Sequence, residues 1–261
     1  MKPFVVITGA SQGLGKSFAT INAQQDRNLI LISLPGEGID SVASQLKNQF
    51  DIEIICFETD LTQTENLYGV TGELQNYPID MLINNAGIGG TQAFEAVGVG
   101  YIDAIVALNM RSVVFLTHQL LPKLREQKEA FILNISSLAA FSPMPFKTVY
   151  PASKAFVYSF SRGLNEELKY SGVHVAVAHP GGMPTNKEVS KRILSYGKML
   201  RKSILTADET AAICMEKLLQ KEAIIIPGRM NRIGSLLQKW IPVDWQLPMM
   251  RHKLEREIQA I

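Results

Sequence analysis

Cysteine and histidine are scarce in this sequence, and it has no long uninterrupted apolar run. Of its 261 residues only two are cysteines, Cys56 and Cys214, and both stand among apolar neighbours, which favours buried thiols over a disulfide or a metal site. The four histidines lack the spacing of metal ligands. No run approaches the roughly 20 apolar residues of a membrane span, and the amino terminus does not resemble a signal peptide. These absences predict a cytoplasmic protein that needs no metal.

Charge is sparse as well, and it is unevenly placed. Charged residues make up 19% of the chain against 46% apolar residues, which predicts a buried core and argues against intrinsic disorder. Residues 1–184 contain 12 basic and 16 acidic residues, whereas residues 185–261 contain 14 basic and 8 acidic ones. Because no zinc-finger spacing or other nucleic-acid motif accompanies the basic third, we expect no nucleic acid, and an anionic ligand or a membrane surface stays open.

Short apolar runs alternate with segments of helical periodicity along most of the chain. Ile39, Val42, Ala43 and Leu46, for example, recur at the spacing of one helix face. The runs are short and apolar enough to be strands buried on both faces, so the alternation predicts a doubly wound α/β fold, a parallel sheet of about seven strands between two helix layers. The predicted strands are residues 4–8, 29–33, 54–57, 81–84, 131–135, 173–178 and 223–226.

Two segments fall outside this alternation, although no linker or repeat divides the chain and we expect one Rossmann-fold domain over residues 1–261. Residues 185–205 carry six basic residues and precede a helix that Thr206 and Glu209 mark with a capping box. Since ligands bind at the carboxyl ends of strands in such sheets, we expect a helical insertion that borders the substrate. Residues 228–261 form a helical tail with Trp240 and Trp245, for which a subunit contact is favoured over a membrane surface.

Residues 5–17, VVITGASQGLGKS, fit two kinds of nucleotide-binding loop. From Ala10 they approach the phosphate loop of NTP hydrolases, and from Gly9 they form a G-x-x-x-G-x-G turn suited to a dinucleotide. An NTPase also needs an acidic residue after a second strand to hold Mg²⁺. Glu58 and Asp60 are candidates, but the next strand ends in Asn84. The dinucleotide is therefore favoured, although glycines alone leave both interpretations open.

Residues 150–154, YPASK, supply a proton-transfer pair. Tyr150 and Lys154 stand four residues apart, so in a helix they share one face. A lysine ammonium beside a phenol favours the phenolate and lowers a pKa that is ~10 in isolation, toward the range useful to a general acid or base. Ser137 ends the strand FILNIS thirteen residues earlier, where its hydroxyl could bond a carbonyl oxygen at the same crevice.

With these motifs in place, the sequence resembles the short-chain dehydrogenase/reductase superfamily over roughly residues 4–226. The resemblance implies hydride exchange between a nicotinamide cofactor and a carbonyl or secondary alcohol. It implies that Tyr150 exchanges the proton at the substrate oxygen, that Lys154 lowers the pKa of Tyr150 and bonds the ribose, that Ser137 stabilises the substrate oxygen and that Asn109 relays protons through a water. The matching stretches are TGASQGLG at 8–15, Asp60, NNAG at 84–87, Asn109, ISS at 135–137, YPASK at 150–154 and HPGGMPT at 179–185.

The resemblance also implies a set of residues that bind the cofactor. Asp60 and Leu61 would lie at the adenine, and Pro180, Gly181 and Thr185 at the nicotinamide carboxamide. The remaining positions would hold the pyrophosphate and the ribose beside the adenine: Gly9, Ser11, Gln12, Gly13, Leu14, Gly15, Ser33, Asn85, Ala86 and Gly87. We interpret His179 as a residue at the end of a strand rather than as a general acid or base.

The cofactor choice rests on the end of the second strand, LILISLPGEG. An acidic residue there would favour NAD, but Ser33 and Leu34 occupy that end and the first carboxylate, Glu37, follows Pro35 and Gly36. The sequence therefore favours NADP and leaves NAD possible, even though Gln12 stands where NADP-dependent relatives often carry a basic residue.

Three functions of different classes remain open at this point. A carbonyl reductase or alcohol dehydrogenase is favoured because Ser137, Tyr150 and Lys154 are all present. Its expected substrate is a lipophilic ketone or a 3-oxoacyl thioester, since basic residues suit a phosphate-bearing substrate. The alternatives are a non-catalytic dinucleotide sensor of the same fold and, less in keeping with the residues, an NTPase. The resemblance further implies a homodimer or homotetramer paired through the helices that bracket the catalytic strand.

Overall fold

The protein's seven β-strands form one parallel sheet in the computed structural model, which describes residues 2–183, 204–238 and 240–259. Most of the insertion at 185–205 lies outside the described residues. The strands run in the spatial order β3-β2-β1-β4-β5-β6-β7. Their bounds are β1 Phe4–Thr8, β2 Asn28–Ser33, β3 Ile54–Glu58, β4 Ile79–Asn84, β5 Ala130–Ile135, β6 Val173–Ala178 and β7 Ile224–Ile225.

Helices connect the strands and cover both faces of the sheet. They are α1 Gly13–Gln24, α2 Ile39–Lys47, α3 Thr64–Leu74, α4 Val99–Val106, α5 Ser112–Arg125, α6 Val149–Glu167, α7 Ala207–Leu219, α8 Arg229–Gln238 and α9 Val243–Gln259. The predicted capping box is present at α7, where Glu209 N donates to Thr206 Oγ1 and Thr206 N donates to Glu209 Oε2. The doubly wound α/β class predicted from the sequence is confirmed.

Alternate residues of the strands pack into two separate hydrophobic cores, because successive side chains of a strand point to opposite faces of the sheet. On one face Val5, Leu31 and Ile83 pack with Phe18 of α1 and Met215 of α7. On the other face a second set of residues packs against α3 and α5, and it includes Phe4, Val6, Ile30, Leu82, Leu67, Leu116 and Leu120. All these side chains are buried, which explains why the strands read as continuous apolar runs.

The chain reverses its direction of travel across the sheet between β1 and β4. From β1 it moves outward to β2 and β3, and then returns to β4 on the other side of β1. A crevice opens at the carboxyl ends of the strands where such a reversal occurs, and ligands of doubly wound sheets bind there. The segments that follow β1, β4 and β5 are therefore the ones to inspect for a site.

The stretch Val99–Arg125 is helical throughout and changes its winding once. It joins α4 to α5 through a wide π-helical turn, Ala107–Arg111. Among the described residues this is the one helix long and apolar enough, by length and composition, to cross a membrane. Leu116, Leu120 and Leu124 of this stretch are buried in the core, so it forms part of the helix layer on the sheet.

Candidate active site

The glycine-rich loop between β1 and α1 is tightly folded. Gly9 and Gly13 have φ values of +65° and +52°, in the left-handed region that favours glycine. A Cβ on Gly15 would lie 2.0 Å from the carbonyl oxygen of Gly9, so a side chain cannot be accommodated there. Gln12 is the residue before the helix, and the amino terminus of α1 therefore opens onto the crevice. This arrangement of close backbone and helix amino terminus fits a dinucleotide pyrophosphate.

The segment after β4 is tied to this loop by hydrogen bonds. Asn85 Nδ2 donates to the carbonyl oxygens of Thr8 at 2.9 Å and of Gly9 at 3.1 Å. The backbone N–H groups of Asn85 and Ala86 both donate to Thr8 Oγ1 at 3.0 Å. The predicted cofactor residues of the first and fourth strands therefore form one connected wall of the crevice.

The side chains that bear on the NTPase interpretation are hydrogen-bonded within the protein. Lys16 Nζ donates to Gln45 Oε1 of α2 at 3.3 Å. Asn84, at the end of β4, is buried and its amide donates to Thr117 Oγ1 and Asn134 Oδ1 inside the protein. The two acidic candidates for a Mg²⁺ ligand are also engaged, since Glu58 Oε1 accepts from Gly36 N at 3.0 Å and Asp60 Oδ1 accepts from Thr62 N at 2.9 Å.

Lys154 is the most unusual charged group of the crevice because it is buried. It is 5% exposed, and its Nζ donates to the carbonyl oxygen of Ile135 at 2.9 Å. Burial lowers the pKa of this ammonium to about 8. Its Nζ lies 5.8 Å from the centre of the Tyr150 ring, one helical turn earlier on α6. The structure therefore brings the predicted pair together at the end of β5.

The Tyr150 ring is held closely from the side opposite α6. A Cβ on Gly89, in the segment after β4, would lie 2.4 Å from Tyr150 Cδ2. A cleft opens next to the ring between α4 and the segment that precedes α6. Its lining includes Gln92, Phe94, Val97, Tyr101, Ile102 and Phe146. This cleft is mostly apolar and borders the Tyr150 ring, and its volume in this structure is about 30 Å³.

Asn109 lies in the wide turn between α4 and α5 and is fully buried. Its Oδ1 accepts from Ile88 N and its Nδ2 donates to Ile88 O, each at 2.9 Å, and Nδ2 is also 3.0 Å from Ser153 Oγ. A Cβ on Gly87 would lie 3.1 Å from both Asn109 Oδ1 and Lys154 Nζ, which shows how near these two atoms are. Widened helical turns of this kind are frequent at functional sites.

The structure distinguishes the two neighbouring serines at the end of β5. Ser136 is buried and its Oγ donates to the backbone carbonyl of Lys154 at 2.8 Å, so it fastens the strand to α6. Ser137 is half-buried, and its Oγ accepts from Ala139 N at 3.1 Å. The hydroxyl hydrogen of Ser137 stays available for a ligand because that bond uses a lone pair. Ser137, chosen over Ser136 from its spacing to Tyr150, is the serine at the crevice.

His179 is buried behind Ser137 and bonds to its backbone. It is fully buried between the rings of Phe141 and Tyr158, and its Nδ1 is 3.0 Å from the carbonyl oxygen of Ser137. Since a carbonyl only accepts, Nδ1 carries the hydrogen. Burial lowers the pKa of His179 to about 4, although the bond to Ser137 opposes this shift, and the ring is neutral at pH 7. This agrees with the prediction of a strand-end residue.

The other predicted cofactor residues are spread along the same edge of the sheet. Asp60 follows β3 and accepts from Thr62 N at 2.9 Å, while Leu61 and Leu14 are buried in the two cores. Pro180 follows β6, and its carbonyl accepts from Leu138 N at 3.1 Å. Gly181 packs on the side chain of Asn231 in α8. Thr185 lies outside the described residues.

Sequence reasoning missed that the side chain of Glu37, in the turn after β2, lies at the glycine-rich loop. Ser33 is buried and its hydroxyl donates to Leu34 O, whereas the Glu37 carboxylate accepts from Ser11 Oγ at 2.7 Å, across 26 residues. Gly36 and Gly38 have φ values of +79° and +73°, and Gly36 N donates to Glu58 Oε1 at 3.0 Å. This turn folds the carboxylate back onto the glycine-rich loop. The sequence P-G-E-G at residues 35–38 is typical of a tight turn, and it was the signal from which this turn could have been predicted.

Comparisons with known proteins agree with this geometry. A model of the short chain dehydrogenase family matches residues 3–193. The chain is 36% identical over 182 residues to a very-long-chain 3-oxoacyl-CoA reductase of Anas platyrhynchos, a match that covers 68% of this chain and 58% of that protein, less than two thirds of its length.

Two solved structures are similar over most of their length. A bulky-bulky ketone specific alcohol dehydrogenase from Comamonas testosteroni superposes with a TM-score of 0.77 at 29% identity, covering 91% of this chain and 93% of that one. A short-chain dehydrogenase from Sphingobium yanoikuyae in complex with NADPH gives a TM-score of 0.77 at 29% identity, covering 86% and 87%. This chain therefore shares its fold with a short-chain dehydrogenase that binds NADPH.

Proposed function

The chain belongs to the short-chain dehydrogenase family, and we propose that it is an oxidoreductase that interconverts a carbonyl compound and its secondary alcohol with a nicotinamide dinucleotide. One observation carries this proposal. A buried lysine ammonium lies beside a tyrosine ring at the crevice, where the end of β5 and the first turn of α6 meet. A dinucleotide sensor would not require a lysine whose charge is costly to bury.

Each residue of the site has a part that follows from its position. Lys154 favours the phenolate of Tyr150, so the phenol can give a proton to, or take one from, the substrate oxygen. The Ser137 hydroxyl donates a hydrogen bond to that oxygen. Asn109 holds the Ile88 segment in place next to Lys154, where a bound water would relay protons toward the lysine. When bound, the cofactor supplies or accepts the hydride.

The cofactor residues would hold the dinucleotide along the crevice from β3 to β6. The glycine-rich loop would bind the pyrophosphate, Asp60 and Leu61 the adenine, and Pro180 and Gly181 the nicotinamide, with Thr185 as a further candidate. NADP is favoured, in line with the NADPH complex of the Sphingobium relative, and NAD is possible. Glu37 is the feature that makes NAD possible, because a carboxylate beside Ser11 suits ribose hydroxyls and repels a 2′-phosphate.

The substrate proposed is a lipophilic ketone or a 3-oxoacyl thioester. The cleft beside Tyr150 is mostly apolar, and the relatives act on 3-oxoacyl-CoA and bulky ketones by their names. The basic residues of the last third of the chain suit the phosphates of coenzyme A or of a carrier protein.

The proposal is tested by binding followed by turnover. Titration of the protein with NADPH and with NADH, followed by nicotinamide fluorescence, should show binding of the dinucleotides, and a separate assay of released phosphate should show no hydrolysis of ATP. Oxidation of NADPH is then measured on 3-oxoacyl-CoA thioesters of increasing length and on bulky ketones. Dinucleotide binding without turnover on any of these compounds would favour the sensor, and absence of binding would refute both.

A homodimer or homotetramer, paired through α5 and α6, is part of the proposal. The outer face of α6 carries Phe156 and Phe160, whose rings stack at 6.2 Å, in a shallow groove with Leu164. Apolar rings on an outer face suit a subunit contact. Sedimentation velocity of the protein gives the oligomeric state directly. A cytoplasmic location stays a prediction.

Glu37→Gln should shift the cofactor preference toward NADPH. Removing the negative charge removes its repulsion of a 2′-phosphate while keeping a hydrogen-bond acceptor for Ser11, so we expect the ratio of kcat/KM for NADPH over NADH to rise at least about tenfold, or about 1.4 kcal/mol. The measurement is steady-state kinetics with both cofactors. Glu53→Gln, an exposed change on the far side of β2, is the matched control. An unchanged ratio would contradict the role of Glu37.

A further inference from the structure

The turn between α8 and α9 exposes large apolar side chains that no other part of the described chain covers. Trp240 is 86% exposed and Trp245 is 71% exposed. Exposed apolar patches of this size are uncommon on monomeric soluble proteins and mark surfaces of interaction. We call this group the apolar tip, and it consists of Leu236, Leu237, Trp240, Ile241, Val243 and Trp245.

The apolar tip is held in place by Gln246, which is buried although its neighbour Trp245 is exposed. Gln246 Nε2 donates to the carbonyl oxygen of Ile241 at 2.6 Å, and so closes the turn. Its Oε1 accepts from Ser142 Oγ at 2.7 Å. Ser142 follows the short helical turn Leu138–Phe141 that comes directly after Ser137. The apolar tip is therefore a fixed part of the surface next to the crevice.

Basic side chains accompany the apolar tip on both helices. Arg229 and Arg232 are exposed on α8, and Arg251 and His252 are exposed on α9. Arg251 is paired with Glu255 and Asp244 is exposed within the tip, but residues 229–259 together contain six lysines and arginines against three acidic residues. Tryptophan at an apolar surface flanked by arginine is the composition that suits the headgroup region of an anionic membrane.

The same charges disfavour a second copy of this chain as the occupant. A two-fold dimer brings the same patch of both subunits face to face, so the flanking arginines of one copy would approach those of the other. Anionic lipid headgroups attract and neutralise these charges. Charge complementarity therefore favours a lipid surface.

We propose that the apolar tip binds the surface of membranes that contain anionic lipids, with Trp240 and Trp245 buried in the headgroup region. The bond between Gln246 and Ser142 then places the lipid surface beside the loop that follows Ser137. This inference stands independently of the reaction, since it requires only the tip and its charges.

The two tryptophans of the apolar tip are the only ones in the sequence, so tryptophan emission reports on the tip alone. Full-length protein is mixed with vesicles of phosphatidylcholine, or of three parts phosphatidylcholine and one part phosphatidylglycerol. We expect a shift of emission to shorter wavelength and co-sedimentation with the anionic vesicles, and weaker binding when salt shortens the screening length. Neutral vesicles should bind at least about tenfold less, a difference that corresponds to one or two basic contacts.

Replacement of both tryptophans tests the site itself. Trp240→Ser with Trp245→Ser should weaken co-sedimentation at least about tenfold, because each lost indole removes apolar area from the interface. Tyr170→Ser, a change at a residue that is 93% exposed in the turn before β6, is the control and should bind as the wild type does. Trp240→Ser alone, at the more exposed position, is the second variant if the double one does not fold.

Several results would overturn the proposal. The wild type remaining in the supernatant with anionic vesicles is one, and the tryptophan variants binding as tightly as the wild type is another. Sedimentation velocity in which the double variant loses a subunit contact, without vesicle binding by the wild type, would assign the apolar tip to a second copy instead. NADPH binding by the double variant, which should be unchanged, separates these results from failure of the proposed activity.

Discussion

Tyr150→Phe should lower kcat for carbonyl reduction by about 10³-fold, within the range that a positioned general acid or base contributes. The change removes only the phenolic oxygen, and the ring keeps its contact with Gly89 and its place on α6. Cofactor binding should therefore be retained. The measurement is the steady-state rate of NADPH oxidation at saturating concentrations of the best substrate of the thioester and ketone series.

Tyr170→Phe provides the matched control, since it removes the same oxygen from an exposed tyrosine in the turn before β6. It should leave kcat unchanged. Retention of full turnover by Tyr150→Phe would refute the proton-transfer role of the phenol, and with it the mechanism. Loss of dinucleotide binding by that variant would instead indicate that the phenol serves to bind the cofactor.

Lys154→Met should lower kcat to an extent similar to Tyr150→Phe, and it should also stabilise the protein near neutral pH. The loss of activity follows from removal of the positive charge that favours the phenolate of Tyr150. Stability should rise because a buried ammonium is costly. Its pKa is about 8 in the folded protein against 10.5 as the ordinary value, a difference that corresponds to about 3 kcal/mol below pH 8.

The pH dependence has a definite sign. Between pH 8 and 10.5 the unfolded chain binds more protons at Lys154 than the folded protein does, so the stability of the wild type rises with pH across this window. The variant also loses the hydrogen bond from Lys154 Nζ to Ile135 O, and this loss lowers its stability by about 1 kcal/mol. We therefore expect an advantage of about 2 kcal/mol for Lys154→Met at pH 7 that disappears near pH 10.

Urea unfolding of both proteins at pH 7 and pH 10 measures this difference. Lys169→Met, at an exposed lysine, should change neither turnover nor the dependence of unfolding on pH. A Lys154→Met protein that is less stable than the wild type at pH 7 would show that the ammonium stabilises the fold, contrary to its burial. The result expected for Lys154→Met, a gain in stability together with a loss of activity, is common when a residue of a functional site is replaced.

The sheet could be predicted closely because its strands are buried on both faces. The predicted runs 4–8 and 173–178 agree with β1 and β6 residue for residue, since both lie inside the sheet and are apolar at all but one position each. The run 223–226 is longer than β7, Ile224–Ile225. An edge strand has one neighbour and β7 pairs with β6 over two residues, so the apolar run extends beyond the ladder.

The candidate site could be predicted where spacing along one element decides the geometry. Tyr150 and Lys154 share a helix face, and Ser137 ends the strand before them. Glu37 and Gln246 could not be found in this way, because their partners Ser11 and Ser142 lie 26 and 104 residues away in the chain. Only the folded turn after β2 and the docking of α9 bring those polar groups together.

The wide turn Ala107–Arg111 sets the angular phase of the whole helix that follows it. A regular helix advances by about 100° per residue, so the additional residue in this turn rotates α5 by that angle relative to α4. That rotation lets Asn109 face Ile88 while Leu116 and Leu120 face the sheet. Changing the length of this turn by a single residue would move both faces at once, so the segment should tolerate substitutions far better than insertions or deletions.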